Sequence, residues 1–228
     1  MILSLKIIHD EYHVKAIMMT IMYNVKSSTE VNMKVSREQV AENRQKILEA
    51  ASRLFRARGF DAVTVAEVMQ AAGLTHGGFY GHFKSKDDLI AETLTHVLGA
   101  GGTGSLDVDQ FATNYLSQLH CNDLEGGCPT AGLAAETIRQ SPQARAAMTA
   151  GLRQQIDRLT KSTPGSDLAE KREQAIGSWA AMVGALILAR LSDDPKLSDE
   201  VLTQTRAWIA GAAERHMPNR TRPGRKAQ

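Results

Sequence analysis

The chain has 228 residues, 43% of them hydrophobic, 23% charged and 5% aromatic, with a formal net charge of +2. Ordinary apolar content at so small a net charge excludes disorder throughout, and near-neutrality excludes a histone-like polycation while allowing a local basic patch. Two cysteines exclude a disulfide scaffold and point to a reducing compartment, so a cytoplasmic protein is expected. Abundant alanine with few β-branched or aromatic runs favours helices over sheets, which predicts an all-α fold.

Residues 1–35 differ from the rest. They contain no Arg, Gly or Pro, and five of the nine methionines (Met1, Met18, Met19, Met22, Met33) fall among them. The longest apolar stretch there, Ala16 to Tyr23, is interrupted by Thr20 and falls far short of the roughly 20 residues that cross a bilayer. Asp10 and Glu11 precede it and no clear small-residue cleavage site follows, which argues against a signal peptide. The segment reads as a non-native or disordered N-terminal extension, with Met33 as the start. An arm that touches DNA or a partner is the competing reading.

Residues 36–98 read as a compact helical unit. Ile47, Leu48, Ala51, Leu54 and Phe55 form one apolar stripe, and Gly59 after Arg56 and Arg58 gives a basic last turn with a left-handed stop. Thr64 and Glu67 make a capping box for a short helix whose apolar face is Val65, Val68, Met69 and Ala72. Gly73 ends it, and Thr75 caps a third short segment, His76 to Phe83. Ser85 to Asp88 is a second capping box, opening a helix with Leu89, Ile90, Leu94 and Val97 inward. Short helix, glycine turn and short helix form a helix-turn-helix. Gly77, Gly78 and Gly81 each cost about 1 kcal/mol against Ala inside a helix, a cost that close approach to a polyanion explains better than packing does. Phe79 and Phe83 anchor the segment from behind. Thr75, His76, Tyr80 and His82 offer hydrogen-bonding groups to phosphates and base edges. Lys86 adds a cation at a helix start.

The run Phe60-Asp61-Ala62-Val63-Thr64-Val65, followed by Ala71 through Lys86 with its Gly78-Phe79-Tyr80-Gly81-His82-Phe83 core and Lys84-Ser85-Lys86, resembles the DNA-binding domain of TetR/AcrR family bacterial transcriptional regulators. The resemblance runs from about Glu42 to Leu94. It implies that Thr64 meets a phosphate, that Thr75, His76, Gly78, Tyr80 and His82 line the DNA face, and that Lys86 clamps the backbone. Many members carry Thr or Ser where this chain has Gly78, so base reading falls more heavily on His76.

The glycine-rich stretch over 99–105 follows no strand and lacks the Lys-[Ser/Thr] of a phosphate loop, so it reads as a flexible connection. Beyond it, helices are expected at about 107–119, 129–139, 144–160, 169–191 and 198–215, forming an effector-binding and dimerisation domain over 99–217. The fourth of these is apolar on more than one face, and with the last it predicts a four-helix dimer interface carrying Trp179, Val183, Leu186, Ile187, Trp208 and Ile209. Family resemblance likewise implies a homodimer. Pro129 at a first helical position puts Cys128 at the N-cap, where the helix dipole favours thiolate. The stretch Cys128 to Glu136 is similar to that of N-ethylmaleimide-responsive repressors of the family, which implies electrophile sensing at Cys128; by thiol chemistry Cys121 could resolve an oxidised Cys128. A packed structural cysteine is the plainer alternative. A metal site from His120, Cys121 and Cys128 is a third reading, although their spacing matches no strong zinc pattern. No nucleophile–base pair or metal cluster occurs, so no catalytic residue, metal or cofactor is expected and the chain does not read as an enzyme. Residues 218–228 form a basic disordered tail.

The sequence thus predicts a three-helix DNA-binding domain joined to a helical ligand-binding domain. The expected function is a ligand-responsive regulator, a repressor that binds a pseudo-palindromic double-stranded operator as a homodimer and is released by a small-molecule or electrophile effector. No membrane association is expected. The competing class is a ligand-binding or redox-sensing helical protein whose DNA-binding unit is weak or lost, since Gly78 lacks a hydroxyl.

Overall fold

The structure, a computed structural model, describes residue 19, residues 37–101 and residues 106–215. The extension expected over 1–35 (apart from Met19), the basic tail over 218–228 and the centre of the glycine-rich stretch, 102–105, lie outside the described residues. The chain divides into two compact units, residues 1–46 and residues 47–228. In the first, residues 37–46 are helical, with an i, i+4 bond of 3.1 Å from Gln39 Nε2 to Asn43 Oδ1.

Among the described residues every regular element is helical. The elements of the second unit are α1 (47–58), α2 (Val65–Ala71), a 3-10 helix (His76–Gly81), α3 (Lys86–Gly99), α4 (Val108–Tyr115), α5 (Gln118–Asn122), α6 (Pro129–Thr137), α7 (Pro142–Ser162), α8 (Leu168–Leu191) and α9 (Pro195–Arg215). Three starts lie earlier than the apolar periodicity suggests, because polar caps set them. Ser141 accepts from Ala144 N before Pro142, Asp167 accepts from Glu170 N before Leu168, and the Asp194 carboxylate takes Lys196 N beside Pro195. The helix expected over 107–119 is two helices. Leu116 leaves helical geometry (φ −92°, ψ 48°) and is buried, while the Ser117 hydroxyl caps α5 by accepting from His120 N.

Two cores fill the second unit. One holds Ile47, Phe55, Phe60, Val68, Phe79, Phe83, Leu89 and Leu94, and extends past the glycine-rich stretch to Leu133 of α6 and Ala144 and Met148 of α7. Burying each of its four phenylalanines contributes about 1.5–3 kcal/mol, a large sum beside a domain stability of about 5–15 kcal/mol. The other core joins α4, α5, α7, α8 and α9 around Tyr115, Leu116, Leu159, Trp179, Met182, Leu186, Leu202 and Ile209. By length and apolarity α8 is the described helix able to cross a bilayer, yet it buries Ala175, Trp179, Met182, Ala185, Leu186 and Ala189 in this core.

Gly59 closes α1 with φ 82°, and a Cβ there would collide with the Glu136 carboxylate of α6. Gly77 has neither constraint: its φ is negative and no atom lies within 4 Å of an added Cβ. Gly59→Ala should therefore destabilise the protein by at least about 1–2 kcal/mol, whereas Gly77→Ala should leave stability unchanged or raise it by about 0.4–1 kcal/mol. Denaturant melting of the two variants checks the contrast, and equal stabilities would refute it.

Candidate nucleic-acid interface and adjoining cavity

The helix-turn-helix geometry grows from its caps and its aromatic back. Glu67 and Thr64 cap α2 reciprocally: the Glu67 carboxylate accepts from Thr64 N at 2.8 Å and from the Thr64 hydroxyl at 2.8 Å, and that hydroxyl accepts from Glu67 N. Arg58 of α1 donates to the other Glu67 oxygen at 2.9 Å and to Ala62 O. These bonds, led by the Thr64 backbone N–H, hold the Glu67 carboxyl at about 2, below its ordinary 4.5. Gly73 turns the chain with φ 72°. The segment expected as a short α-helix is a six-residue 3-10 helix, consistent with three glycines that weaken α geometry. Phe79 and Phe83 are buried and stacked, centroids 5.7 Å apart, behind it.

On the opposite side Thr75, His76, Gly78 and Tyr80 are exposed, as is Thr64; His82 and Lys86 are half-buried. The 3-10 helix thus brings the expected DNA-facing residues onto one presented segment, but two positions differ in detail. The Thr64 hydroxyl is already engaged by Glu67, and the His82 Nδ1 atom is buried without a partner. An added Cβ at Gly78 would meet only Met69 Cε and Thr75 Oγ1, both at 3.8 Å, so the position has room for the hydroxyl it lacks.

A cavity of about 430 Å³ opens between α3, α4, α6, α7, α8 and the loop before α6. That loop is gripped from two sides. Arg190 of α8 donates to the carbonyls of Cys121, His120 and Asp123, each at 3.0 Å. Arg56 of α1 donates to Gly126 O at 3.1 Å and Gly127 O at 2.8 Å, and its burial lowers its pKa from the ordinary value, with Asp123 opposing. His120 Nε2 accepts from Cys128 N at 3.0 Å, so Nδ1 carries the proton and donates to Tyr115 O at 2.7 Å. With both ring nitrogens engaged, His120 is not open to a metal with Cys121 and Cys128. Among the described residues no group of three or more His, Cys, Asp or Glu could hold one.

Cys128 stands at the N-cap of α6 with Pro129 first in the helix, as its spacing predicts, and its thiol makes no cap hydrogen bond. It is half-buried and lines the cavity, whereas Cys121 is buried in the second core. The Tyr115 hydroxyl lies beside the Cys128 sulfur, and burial pushes its pKa up, with Cys128 adding to the effect. Sequence reasoning missed Arg56, Arg190, Tyr115 and Gln155. One signal was available: Arg190 sits in the last turn of a strongly apolar helix. At the far end of α6, Glu136 accepts from Phe60 N at 2.6 Å, so α6 touches both the cavity and the turn that leads to α2.

Residues 47–93 match the family profile described as "Bacterial regulatory proteins, tetR family". The HTH-type transcriptional regulator AcrR of Shigella flexneri is 42% identical over 77 residues, 34% of this chain and 35% of that protein, so the match spans about a third of that relative's length. An HTH-type transcriptional regulator of Mycobacterium tuberculosis is 26% identical over 78% of this chain and 98% of its own. The crystal structure of the reduced form of Escherichia coli NemR superposes with a TM-score of 0.60 at 26% identity, covering 74% of this chain and 95% of that one. Residues 47–93 thus carry the TetR-family DNA-binding profile, and the chain as a whole is similar to TetR/AcrR-family regulators.

The apolar faces of α8 and α9 were expected to pair with a partner, and the structure divides those residues differently. Trp179 (7% exposed), Leu186 and Ile209 face the core of their own chain. Val183 and Ile187 are half-buried. Trp208 is 55% exposed, together with Ile176, Leu188, Leu191 and Leu197. The physical reason is that α8 is apolar on two faces, one of which the protomer consumes.

The depressed Glu67 carboxyl fixes the sign of one pH effect. A lowered folded-state pKa contributes stability that is present above the ordinary 4.5 and lost as pH falls through about 2. The melting temperature of the parent should exceed that of Glu67→Gln above pH 4.5, and the gap should close as the pH approaches 2. A gap that persists unchanged down to pH 2 would contradict the assignment.

Proposed function

We propose that this chain is a transcriptional repressor that binds a pseudo-palindromic operator in the cytoplasm as a homodimer and leaves it when a small molecule occupies the cavity. The observation that carries the reading is the exposed polar face of the 3-10 helix, backed by the stacked Phe79 and Phe83. Thr75, His76 and Tyr80 can reach base edges and phosphates from that face, with Lys86 supplying charge to the backbone. The exposed apolar face of α8 and α9, where an added Cβ at Gly177 or Gly184 would meet nothing within 4 Å, supports pairing with a second copy. Two units about 34 Å apart then enter successive major grooves. In this reading an occupant pressing on the loop before α6 favours a dimer whose units are wrongly spaced.

Fluorescence anisotropy with the DNA upstream of the protein's own gene tests this. Lys86→Ala should weaken binding to all sequences alike and lower the salt dependence by about one ion. His76→Ala should relax discrimination at particular bases by about 1–3 kcal/mol, and Tyr80→Phe should weaken operator binding. Unchanged affinity in all three would overturn the reading.

Release by an electrophile is a second reading, supported by the position of Cys128 in the cavity wall at the α6 N-cap. Its sulfur would add across the double bond of N-ethylmaleimide, with a proton passing to the neighbouring carbon, and the bulky adduct would displace the loop. Coupling of about 1–3 kcal/mol changes operator affinity about 5- to 150-fold. Cys128→Ser should bind DNA yet resist release by N-ethylmaleimide, while Cys121→Ser should respond as the parent does. Release of Cys128→Ser at the parent's dose would exclude it.

A further inference from the structure

We propose that the cavity binds a planar aromatic molecule bearing an oxygen acceptor, neutral or anionic, and discriminates against cations. The inference rests on the small-molecule reading above and names the chemistry of that ligand.

Three aromatic side chains build one wall. Tyr115 and Trp179 meet edge-on at 5.3 Å and 65°, and Phe111 lies 6.4 Å from Trp179 at 32°. A flat ring against this corner gains both edge and face contacts. The volume of about 430 Å³ falls in the usual range of about 300–1,000 Å³ for small-molecule sites, enough for a fused bicyclic ring.

The polar groups of the wall are unbalanced towards donors. The Trp179 indole N–H and the Gln155 amide nitrogen are buried with no hydrogen-bond partner, and the buried Tyr115 hydroxyl has only the Cys128 sulfur beside it; Tyr115 and Trp179 are each only 7% exposed. An indole N–H and an amide NH₂ can only donate, and a phenol can donate. The Cys128 sulfur beside Tyr115 is a weak acceptor. Buried donors of this kind call for an explanation, and a ligand oxygen supplies the lone pairs that they lack. An ammonium ligand brings more donors to a wall already short of acceptors. It also meets the guanidinium groups of Arg56 and Arg158, while among the described residues no carboxylate lines the cavity, Asp123 and Glu125 acting on Arg56 from outside the lining. Polar balance and charge therefore select the same ligand class.

Calorimetric titration of the full chain without DNA tests the proposal. The probes share one ring system: 2-acetylnaphthalene, 2-naphthoate, 2-methylnaphthalene and 2-naphthylmethylammonium. The ketone and the carboxylate should bind about tenfold or more tighter than the hydrocarbon and the ammonium. Tyr115→Phe, which keeps the ring, should cost the two oxygen-bearing probes about tenfold and leave the hydrocarbon unchanged. Gln155→Leu should act in the same direction, so the test survives if either variant fails to melt cooperatively. Equal binding of the ammonium, unchanged acceptor affinity in the folded variants, or no binding of either oxygen-bearing probe would overturn the proposal. Because no DNA is present, that failure would leave operator recognition untouched, and failure to bind an operator would leave this result standing.

Discussion

The loop over 123–128 carries two glycines, and two arginines take three of its carbonyls together with two at the end of α5. Arg190 reaches from α8 and Arg56 from α1, from opposite ends of the chain. Hydrogen bonds from a charged donor contribute about 1.5–3 kcal/mol each when shielded, less for the exposed ones here. The backbone passes so closely that a Cβ on buried Gly127 would run into Asp123 O and the Arg190 guanidinium. Asp123 folds the loop back on itself by accepting from Gly126 N at 2.7 Å. The start of α6, the orientation of Cys128 and one wall of the cavity all follow from where this loop is pinned.

From that pinned start α6 runs nine residues, about 13 Å at the usual rise, to a carboxylate that holds Phe60 N. Midway, Leu133 inserts into the core beneath the helix-turn-helix. The helix thus has polar or packed attachments at both ends and in the middle. Under the effector reading, a shift of the loop is passed along α6, which stays helical through Gly132 and carries no glycine between Leu133 and Glu136. Physical coupling of this kind rests on a discrete element that both sites bias.

Much of the helix-turn-helix was legible because its signals are local. The Thr64–Glu67 box, the left-handed stops at Gly59 and Gly73 and the Phe79–Phe83 pair each act within a few residues, and each is present as read. Cys128 at a helix start was legible for the same reason, since Pro129 follows it. The loop grip was not: Arg190 bonds to carbonyls 67 to 70 residues away, and such pairings leave no periodic trace. The break at Leu116 was hidden because burial of that side chain, not a glycine or proline, ends α4. Trp179 and Ile209 were assigned to a partner because hydrophobicity alone cannot say which of two faces a protomer fills itself.

The cavity draws its walls from seven helices and the loop before α6, whereas the core beneath the helix-turn-helix is met by Leu133, Ala144 and Met148, with Glu136 on Phe60 N and Arg56 on the loop. Phe111, Gln155 and Val97 line the first without taking part in the second. Under the proposed function, a lineage carrying this fold could exchange the molecule it answers to by substituting wall residues such as Phe111 and Gln155, with no change to the residues that face DNA. The reverse is also open, since Thr75, His76 and Tyr80 contribute nothing to the cavity. In that reading sensing and addressing are heritable separately, and the short stretch from Asp123 to Glu136 is where the two meet.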